Sequence, residues 1–292
     1  MHRFVVLTLN GLTTGSIYAA MALSLILIWR ATRVVNFAQG AMAMFSTYIA
    51  LGAIHRGASY WVAFAVALGS GFVMGAVVER TLVRRVESGP QLNAVILTLG
   101  LLLVLEAAAP MIWGGQIRSF PAAFSIVGVH LGNSQIALSR FDIFTLASIL
   151  GTMALLVALF RLTPIGLRMR AAAFQPEVAR LLGVRVGRTL SLGWALASLV
   201  GSLAGLLIAP SLLLSPNSMD GVLVFGFVGA VLGGLESPAG GVVGGLLMGL
   251  ALSYVGGYLG ADIQTVGGLV ILVAVLMVRP RGLFGSMVAR KV

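Results

Sequence analysis

The stretch VVLTLNGLTTGSIYAAMALSLILIW, residues 5–29, contains no charged side chain. A helix needs roughly 20 apolar residues to cross a hydrocarbon layer of about 30 Å, and this run is long enough. Arg3 and the small residues Ala20 and Ala22 also resemble a weak signal peptide with its cleavage site. However, the apolar run continues without a break to Trp29. We therefore interpret it as a retained membrane-spanning first helix.

The composition of the whole chain agrees with this interpretation. Of the 292 residues, 59% are hydrophobic and only 9% are charged, and the mean hydropathy is +1.05. Soluble domains carry about 25% charged residues, and a surface with so little charge would aggregate in water. The 38 glycines favour helices that cross closely in lipid. The sequence therefore predicts an all-α polytopic membrane protein.

Further apolar segments follow the first one along the chain. They are residues 34–54, 61–78, 91–113, 141–160, 189–209, 221–235, 241–258 and 263–278. Together they predict a bundle of about nine transmembrane helices, within a range of eight to ten. The last three segments are shorter and rich in glycine, which leaves open that one or two are re-entrant or broken. Glycines four residues apart, as at Gly11 and Gly15, predict close helix crossings.

The positions of the basic residues predict the orientation of the bundle. The net charge is +11, and the 19 basic residues are arginines except for Lys291. A basic balance can indicate nucleic-acid binding. If instead the N-terminus lies outside and all nine segments cross, 15 basic residues lie inside and 4 outside. Because cytoplasmic loops are enriched in Lys and Arg, we predict a cytoplasmic C-terminus and no nucleic-acid partner.

Two loops are longer than a turn, and no linker divides the chain, so we predict one domain over residues 1–292. The outer loop, residues 114–140, is mixed in character. The inner loop, residues 161–188, carries six arginines and Glu177. Pro164 interrupts the incoming helix, residues 168–182 suit a short helix with a boundary at Gln175, and Gly183 is a good stop. Such a loop fits either a contact for a peripheral partner or a basic connector anchored by anionic membrane lipid.

The sequence lacks the motifs of the common catalytic sites. A P-loop needs Gly-Lys-Ser/Thr, and the only lysine, Lys291, stands between Arg290 and Val292. Cysteine is absent, which excludes thiol catalysis and thiolate metal sites. The three histidines are scattered and form no metal-binding motif. We predict no enzyme activity, no metal and no cofactor in this chain.

Three stretches together resemble the permeases of branched-chain amino acid ABC transporters of the LivH type. The first joins residues 11–23 (GLTTGSIYAAMAL) to residues 35–40 (VNFAQG). The second is residues 166–184 (GLRMRAAAFQPEVARLLGV), and the third is residues 230–241, which contain AVLGGL and SPAGG. The resemblance extends over nearly the whole chain in the same order. The chain departs from the family pattern at Ala41, where an acidic residue is usual.

The resemblance implies a subunit in the bacterial inner membrane that transports branched-chain amino acids. It also implies a second, LivM-type permease subunit, two ATP-binding cassette subunits that bind the ATP, and a periplasmic substrate-binding protein. Urea and amide permeases look similar and remain the alternative within the family. An ion-coupled secondary transporter with broken Gly-rich helices is a further alternative, although intramembrane charges for ion coupling are few.

Polar residues inside the bilayer are expensive and are functional candidates. Asn36 and Gln39 lie three residues apart, so we expect them to share a face of the second helix. They either line the substrate path, fix a helix break or form an interhelical hydrogen bond. Glu106 lies beyond mid-depth on the fourth helix and must be neutral or paired. The candidate pathway residues are Asn36, Phe37, Gln39 and Glu106.

The resemblance implies that the inner loop couples ATP hydrolysis to transport. We expect a helix that seats in a cleft of the ATPase, with charged residues at the rim and the small Ala179 inside. The candidate coupling residues are Gly166, Arg168, Arg170, Ala171, Glu177, Ala179 and Gly183.

Overall fold

The computed structural model describes residues 2–86, 89–131, 134–279 and 282–284. Arg281, Arg290 and Lys291, which the predicted inner side includes, lie outside the described residues, as does the C-terminus.

Helices account for each of the predicted apolar segments. In chain order the elements are α1 (His2–Thr32), α2 (Gln39–His55), α3 (Tyr60–Val78), a π-helix (Glu79–Val83), α4 (Arg84–Val86), α5 (Gln91–Trp113), β1 (Gly128–Leu131), β2 (Ser134–Ser139), α6 (Arg140–Leu162), α7 (Pro164–Phe174), α8 (Pro176–Leu181), α9 (Val186–Ile208), α10 (Asp220–Gly233), α11 (Pro238–Tyr258), a 3-10 helix (Ala261–Ile263) and α12 (Gln264–Val278).

Seven of the helices in the described part of the chain are long and apolar enough to cross a membrane. The other two predicted segments form α2, with 17 residues, and α10, with 14. Their lengths are roughly 26 Å and 21 Å. The sequence predicted short segments only among the last three. The predicted length of the second segment was therefore wrong, because α2 begins at Gln39 rather than at residue 34. α11 is long enough to cross, and so is α12 together with the 3-10 helix before it, as the 18-residue stretch Ala261–Val278.

Local sequence signals explain where several helices begin. Thr163 caps α7 and Ser237 caps α11, and in each case the hydroxyl oxygen accepts the N–H of the third residue after it. A proline follows each cap, at the position where the missing N–H costs no helical hydrogen bond. Pro164 therefore starts α7 as well as ending α6, and the inner-loop helix begins earlier than the predicted residue 168.

The helices pack in directions that agree with nine successive crossings. Gly15 of α1 packs on Gly249 of α11, and Ala19, one turn later in α1, packs on Gly245, one turn earlier in α11. These two helices are therefore antiparallel. By contrast, α2 runs parallel to α9, because Gln39 approaches Gly201 and α2 then reaches Gly205 one turn further on. If successive segments alternate in direction, the first and eighth segments must be antiparallel and the second and sixth must be parallel, as observed.

The core of the bundle is formed by α1 and α9, whose apolar windows are 83% and 78% buried. The corresponding windows of α5, α6 and α12 are only 11%, 17% and 6% buried. Large apolar side chains on these three helices therefore face outward, where a bilayer would cover them. The predicted close crossings are confirmed: a Cβ atom at Gly249 would lie 2.1 Å from the Cα atom of Gly15.

The outer loop contains the only strands in the described residues. β1 and β2 pair antiparallel as a small hairpin, which the all-α prediction did not include. Arg118 and Leu214 also pair through their backbones, which joins this loop to the segment after α9. The fold class remains all-α, because these strands lie outside the bundle's helices.

Candidate functional site

A sharp break separates α1 from α2. α1 ends at Thr32, and Arg33 takes a left-handed conformation with φ of 57°. The fully buried Asn36 then forms a turn: its Oδ1 accepts the N–H of Ala38 at 3.1 Å, and its backbone oxygen accepts the N–H of Gln39 at 3.2 Å. Asn36 therefore precedes the second helix, and the prediction that it shares a face of that helix with Gln39 is wrong. Asn side chains stabilise turns of this kind, and sequence spacing alone did not reveal one here.

Gln39 ties this break to the central helix α9. Its Nε2 donates to the backbone oxygen of Ala197 at 3.2 Å, and its Oε1 accepts from Asn36 Nδ2 at 2.9 Å. Gly201 makes room for it, since a Cβ atom there would lie 2.2 Å from Gln39 Nε2. The two amide side chains thus satisfy each other and the backbone within the chain. This geometry fits a role in fixing the helix break, and a place on the substrate path stays a prediction.

The other two pathway candidates converge on the short helix α10. The Phe37 ring lies 6.4 Å from the Phe227 ring, and the carboxyl groups of Glu106 and Asp220 are close neighbours. Asp220 and Phe227 are two helical turns apart and therefore share a face of α10. All four side chains are half-buried. The neighbour of Glu106 is therefore acidic, and no described basic residue forms an ion pair with it.

The inner loop folds into two short helices at the end of the bundle that carries most arginines, called here the arginine-rich end. The predicted boundary at Gln175 is confirmed, because α7 ends at Phe174 and α8 begins at Pro176. Gly166 is packed against α6, where a Cβ atom would lie 2.3 Å from the oxygen of Leu159. Gly183 has φ of 81°, which suits a glycine after a helix end.

A residue that fills a partner's cleft would point outward, but Ala179 points inward. It is 2% exposed and packs in a small apolar cluster with Ala172, Val186 and Leu190. The expectation that Ala179 sits inside a partner's cleft is therefore wrong, because this side of α8 is already covered by α9. The cluster instead fixes the two short helices to the bundle.

The remaining coupling candidates lie at or near the surface. Arg168, Arg170 and Glu177 are exposed, and Ala171 is half-buried. The most exposed apolar groups of the segment were not among the candidate coupling residues, although the sequence shows an apolar edge at Leu181 and Leu182: Phe174 is 83% exposed, and Leu181 is 88% exposed. Each of them follows a buried alanine, which was a signal in the sequence. Because the helix breaks at Gln175, the sequence did not show one continuous helical face.

An ion pair with a buried carboxylate lies beside this segment and was also missed. The Glu79 side chain is 1% exposed and its Oε2 lies 2.8 Å from Arg84 Nη2. Arg84 Nη2 also donates to the oxygen of Gly187 at 2.6 Å and to Ser191 Oγ at 2.8 Å, and Ser191 Oγ donates to Glu79 Oε2. We call these four residues the clasp. It joins the end of α3 to the start of α9.

Spacing in an α-helix would not predict the clasp. Residues five apart lie on different faces of an α-helix, whose neighbours are three or four apart. The π-helix over Glu79–Val83 winds more widely and brings the two side chains together. No local sequence signal identified that π-helix.

The fold and the site together define the class of protein: a polytopic α-helical membrane protein whose arginine-rich end carries an exposed pair of short helices. The family model described as "Branched-chain amino acid transport system / permease component" matches residues 7–278. The chain belongs to this family, and it is a transport component rather than an enzyme.

Relatives of similar length agree with this assignment. The high-affinity branched-chain amino acid transport system permease protein LivH of Salmonella typhimurium is 27% identical over 298 residues, covering 97% of this chain and 96% of the relative. The corresponding BraD protein of Pseudomonas aeruginosa is 25% identical over 304 residues, covering 100% and 99%.

A solved structure shows that the fold is known. The chain is similar to a structure described as "An inward-facing conformation of a putative metal-chelate type ABC transporter". The TM-score is 0.51 at 19% identity, over 94% of this chain and 88% of the other. At this identity the likeness concerns the fold alone.

Proposed function

We propose that this chain is the membrane-spanning permease subunit of an ABC importer for branched-chain amino acids in a bacterial inner membrane. The observation that carries the proposal is the family match over residues 7–278. Relatives named as branched-chain amino acid permeases cover almost all of the chain. The proposed partners are a LivM-type permease subunit, two ATPase subunits that bind ATP, and a periplasmic substrate-binding protein.

We place the substrate path along the face of α10 that meets Phe37 and Glu106. This face offers an aromatic pair and a carboxyl pair at different depths, and its side chains are half-buried rather than sealed. An amino acid with an apolar side chain presents both an ammonium group and a hydrocarbon surface. Asn36 and Gln39 then act behind the path, by holding α2 against α9 at the break.

The ATPase docking surface consists of Phe174, Val178, Leu181 and Leu182. All four are exposed, and they lie outside the long helices at the arginine-rich end. Apolar groups that protrude in this way are more stable when a partner covers them. Charged Glu177 and Arg180 flank them, as at the polar rim of an interface. The partner proposed for this surface is an ATPase subunit, because the chain has no nucleotide-binding loop of its own.

Transport by the reconstituted importer tests the function. We expect proteoliposomes that contain both permease subunits and the ATPase subunits to accumulate leucine, isoleucine or valine when ATP and the binding protein are present. Urea and acetamide in excess should not compete. Uptake of an amide in place of leucine would contradict the proposed substrate class. Uptake by this chain alone under an ion gradient would contradict the ABC mechanism.

Labelling of a single cysteine tests the orientation and the docking surface together. The chain contains no cysteine, so Leu181→Cys introduces the only thiol. We expect an impermeant maleimide to label it in inverted vesicles but not in intact spheroplasts, and we expect bound ATPase subunits to reduce the labelling at least fivefold. Arg56→Cys, an exposed position at the opposite end, is the matched control and should label in spheroplasts.

Two results would contradict these proposals separately. Labelling of position 181 in spheroplasts would reverse the predicted orientation. Equal labelling in inverted vesicles with and without the ATPase subunits would remove the docking role from this surface while leaving the orientation intact.

A further inference from the structure

A cavity of about 480 Å³ lies at the arginine-rich end between α1, α6, α7 and the start of α11. Arg30 of α1, Arg161 of α6 and Arg170 of α7 line it, and we call it the arginine cavity. The one acidic residue in its lining, Glu236, pairs with Arg33 at 2.6 Å. Among the described residues, no carboxylate forms an ion pair with the three lining arginines.

Three arginines and one glutamate line the arginine cavity, so its lining carries net positive charge. The Glu236 carboxylate is engaged by Arg33, which lies outside the lining. Three arginines from separate helices against one carboxylate that already pairs with Arg33 leave an excess of positive charge, which suits an anion. A phosphate group suits them, because the planar guanidinium can donate two parallel hydrogen bonds to its oxygens.

The rest of the arginine cavity is apolar and follows the helices into the membrane. Leu23 and Leu27 of α1 line it, as do Met153, Leu156 and Val157 of α6. Leu23 precedes Arg30 by two helical turns and Met153 precedes Arg161 by slightly more, so the apolar wall extends roughly 10–12 Å from the arginines. Val157 is 49% exposed on the outer surface of the bundle, where the bilayer would lie.

We propose that the arginine cavity binds one anionic phospholipid, with the phosphate at Arg30, Arg161 and Arg170 and the start of an acyl chain along the apolar wall. A soluble phosphate would leave that wall uncovered. Basic pockets between transmembrane helices bind anionic headgroups in this way. The inference does not depend on which substrate is transported.

Lipid binding by the purified importer tests the proposal. Native mass spectrometry would compare the phosphatidylglycerol retained with the phosphatidylcholine retained when both are supplied equally. Near an anionic headgroup each arginine is worth about a fivefold change in binding constant. We therefore expect phosphatidylglycerol binding to fall about fivefold in Arg161→Gln and about 25-fold in the double variant Arg161→Gln/Arg170→Gln. Arg80→Gln, an exposed arginine at the same end, is the matched control and should retain phosphatidylglycerol like the unchanged chain.

Each other outcome overturns the proposal. Equal retention of both lipids by the unchanged importer would show no anionic preference. Unchanged phosphatidylglycerol binding in Arg161→Gln, which substitutes an exposed residue near a helix end, would exclude this cavity even if the double variant fails to fold. Displacement of phosphatidylglycerol by an equal concentration of glycerol 3-phosphate would show that the site takes a soluble phosphate instead of a lipid.

Discussion

Gly249→Leu is expected to abolish recovery of folded, monodisperse protein. A Cβ atom at this position would lie 2.1 Å from the Cα atom and 2.3 Å from the backbone nitrogen of Gly15. Neither helix can yield by rotating a side chain, because both contacts are to backbone. Overpacking typically costs about 1–3 kcal/mol and can cost more when the backbone must shift. We expect a loss at or above the upper end of that range, since α1 lies in the core of the bundle.

The matched control for Gly249→Leu is Gly151→Leu. Gly151 is an exposed glycine of α6, and a Cβ atom there would have no atom of another helix within 4 Å. Leucine there gains helix propensity of about 0.5–1 kcal/mol and should leave the melting temperature in detergent unchanged or higher. Size-exclusion profiles and thermal unfolding of both variants provide the measurement. Normal folding of Gly249→Leu would show that the α1–α11 crossing has room for a side chain.

The course of the helices could be predicted from the sequence because each apolar run had to satisfy its own backbone within the bilayer. The break before α2 was harder to predict from the sequence. Residues 34–38 are as apolar as a helix, and what ends the helix is the turn formed by Asn36 together with the left-handed Arg33. Hydropathy does not distinguish a buried turn from a buried helix, so the segment was assigned too early a start.

The sequence identified positions of the candidate site, but not the directions in which their side chains point. The break at Gln175 was correctly placed, yet Ala179 faces its own bundle while Leu181 faces outward. The arginine cavity unites three arginines more than a hundred residues apart at the extremes, and no local pattern links them. Such features depend on how helices pack, which the sequence of one segment does not determine.

Arg84→Ala is expected to have the second large effect, because it leaves the buried Glu79 carboxylate without its partner. The Glu79 side chain is 1% exposed, and Arg84 donates to it and to α9. Breaking a buried ion pair by removing one partner costs about 3–5 kcal/mol, and because the Arg84 side chain is 37% exposed we expect the lower end of that range. We expect a fall in melting temperature on the order of 10 °C, measured by thermal unfolding in detergent.

A double variant separates the cost of a stranded charge from the value of the clasp itself. Glu79→Gln/Arg84→Ala carries no buried charge at this site, so it should recover much of the stability lost in Arg84→Ala. If the clasp only stabilises the fold, the double variant should also restore coupled transport. The clasp, however, joins the end of α3 to α9 directly after the proposed docking segment, through Gly187 and Ser191. We therefore expect the double variant to hydrolyse ATP in the complex while transporting less substrate per ATP. An unchanged ratio of transport to hydrolysis would contradict this positioning role and leave the clasp as a structural ion pair.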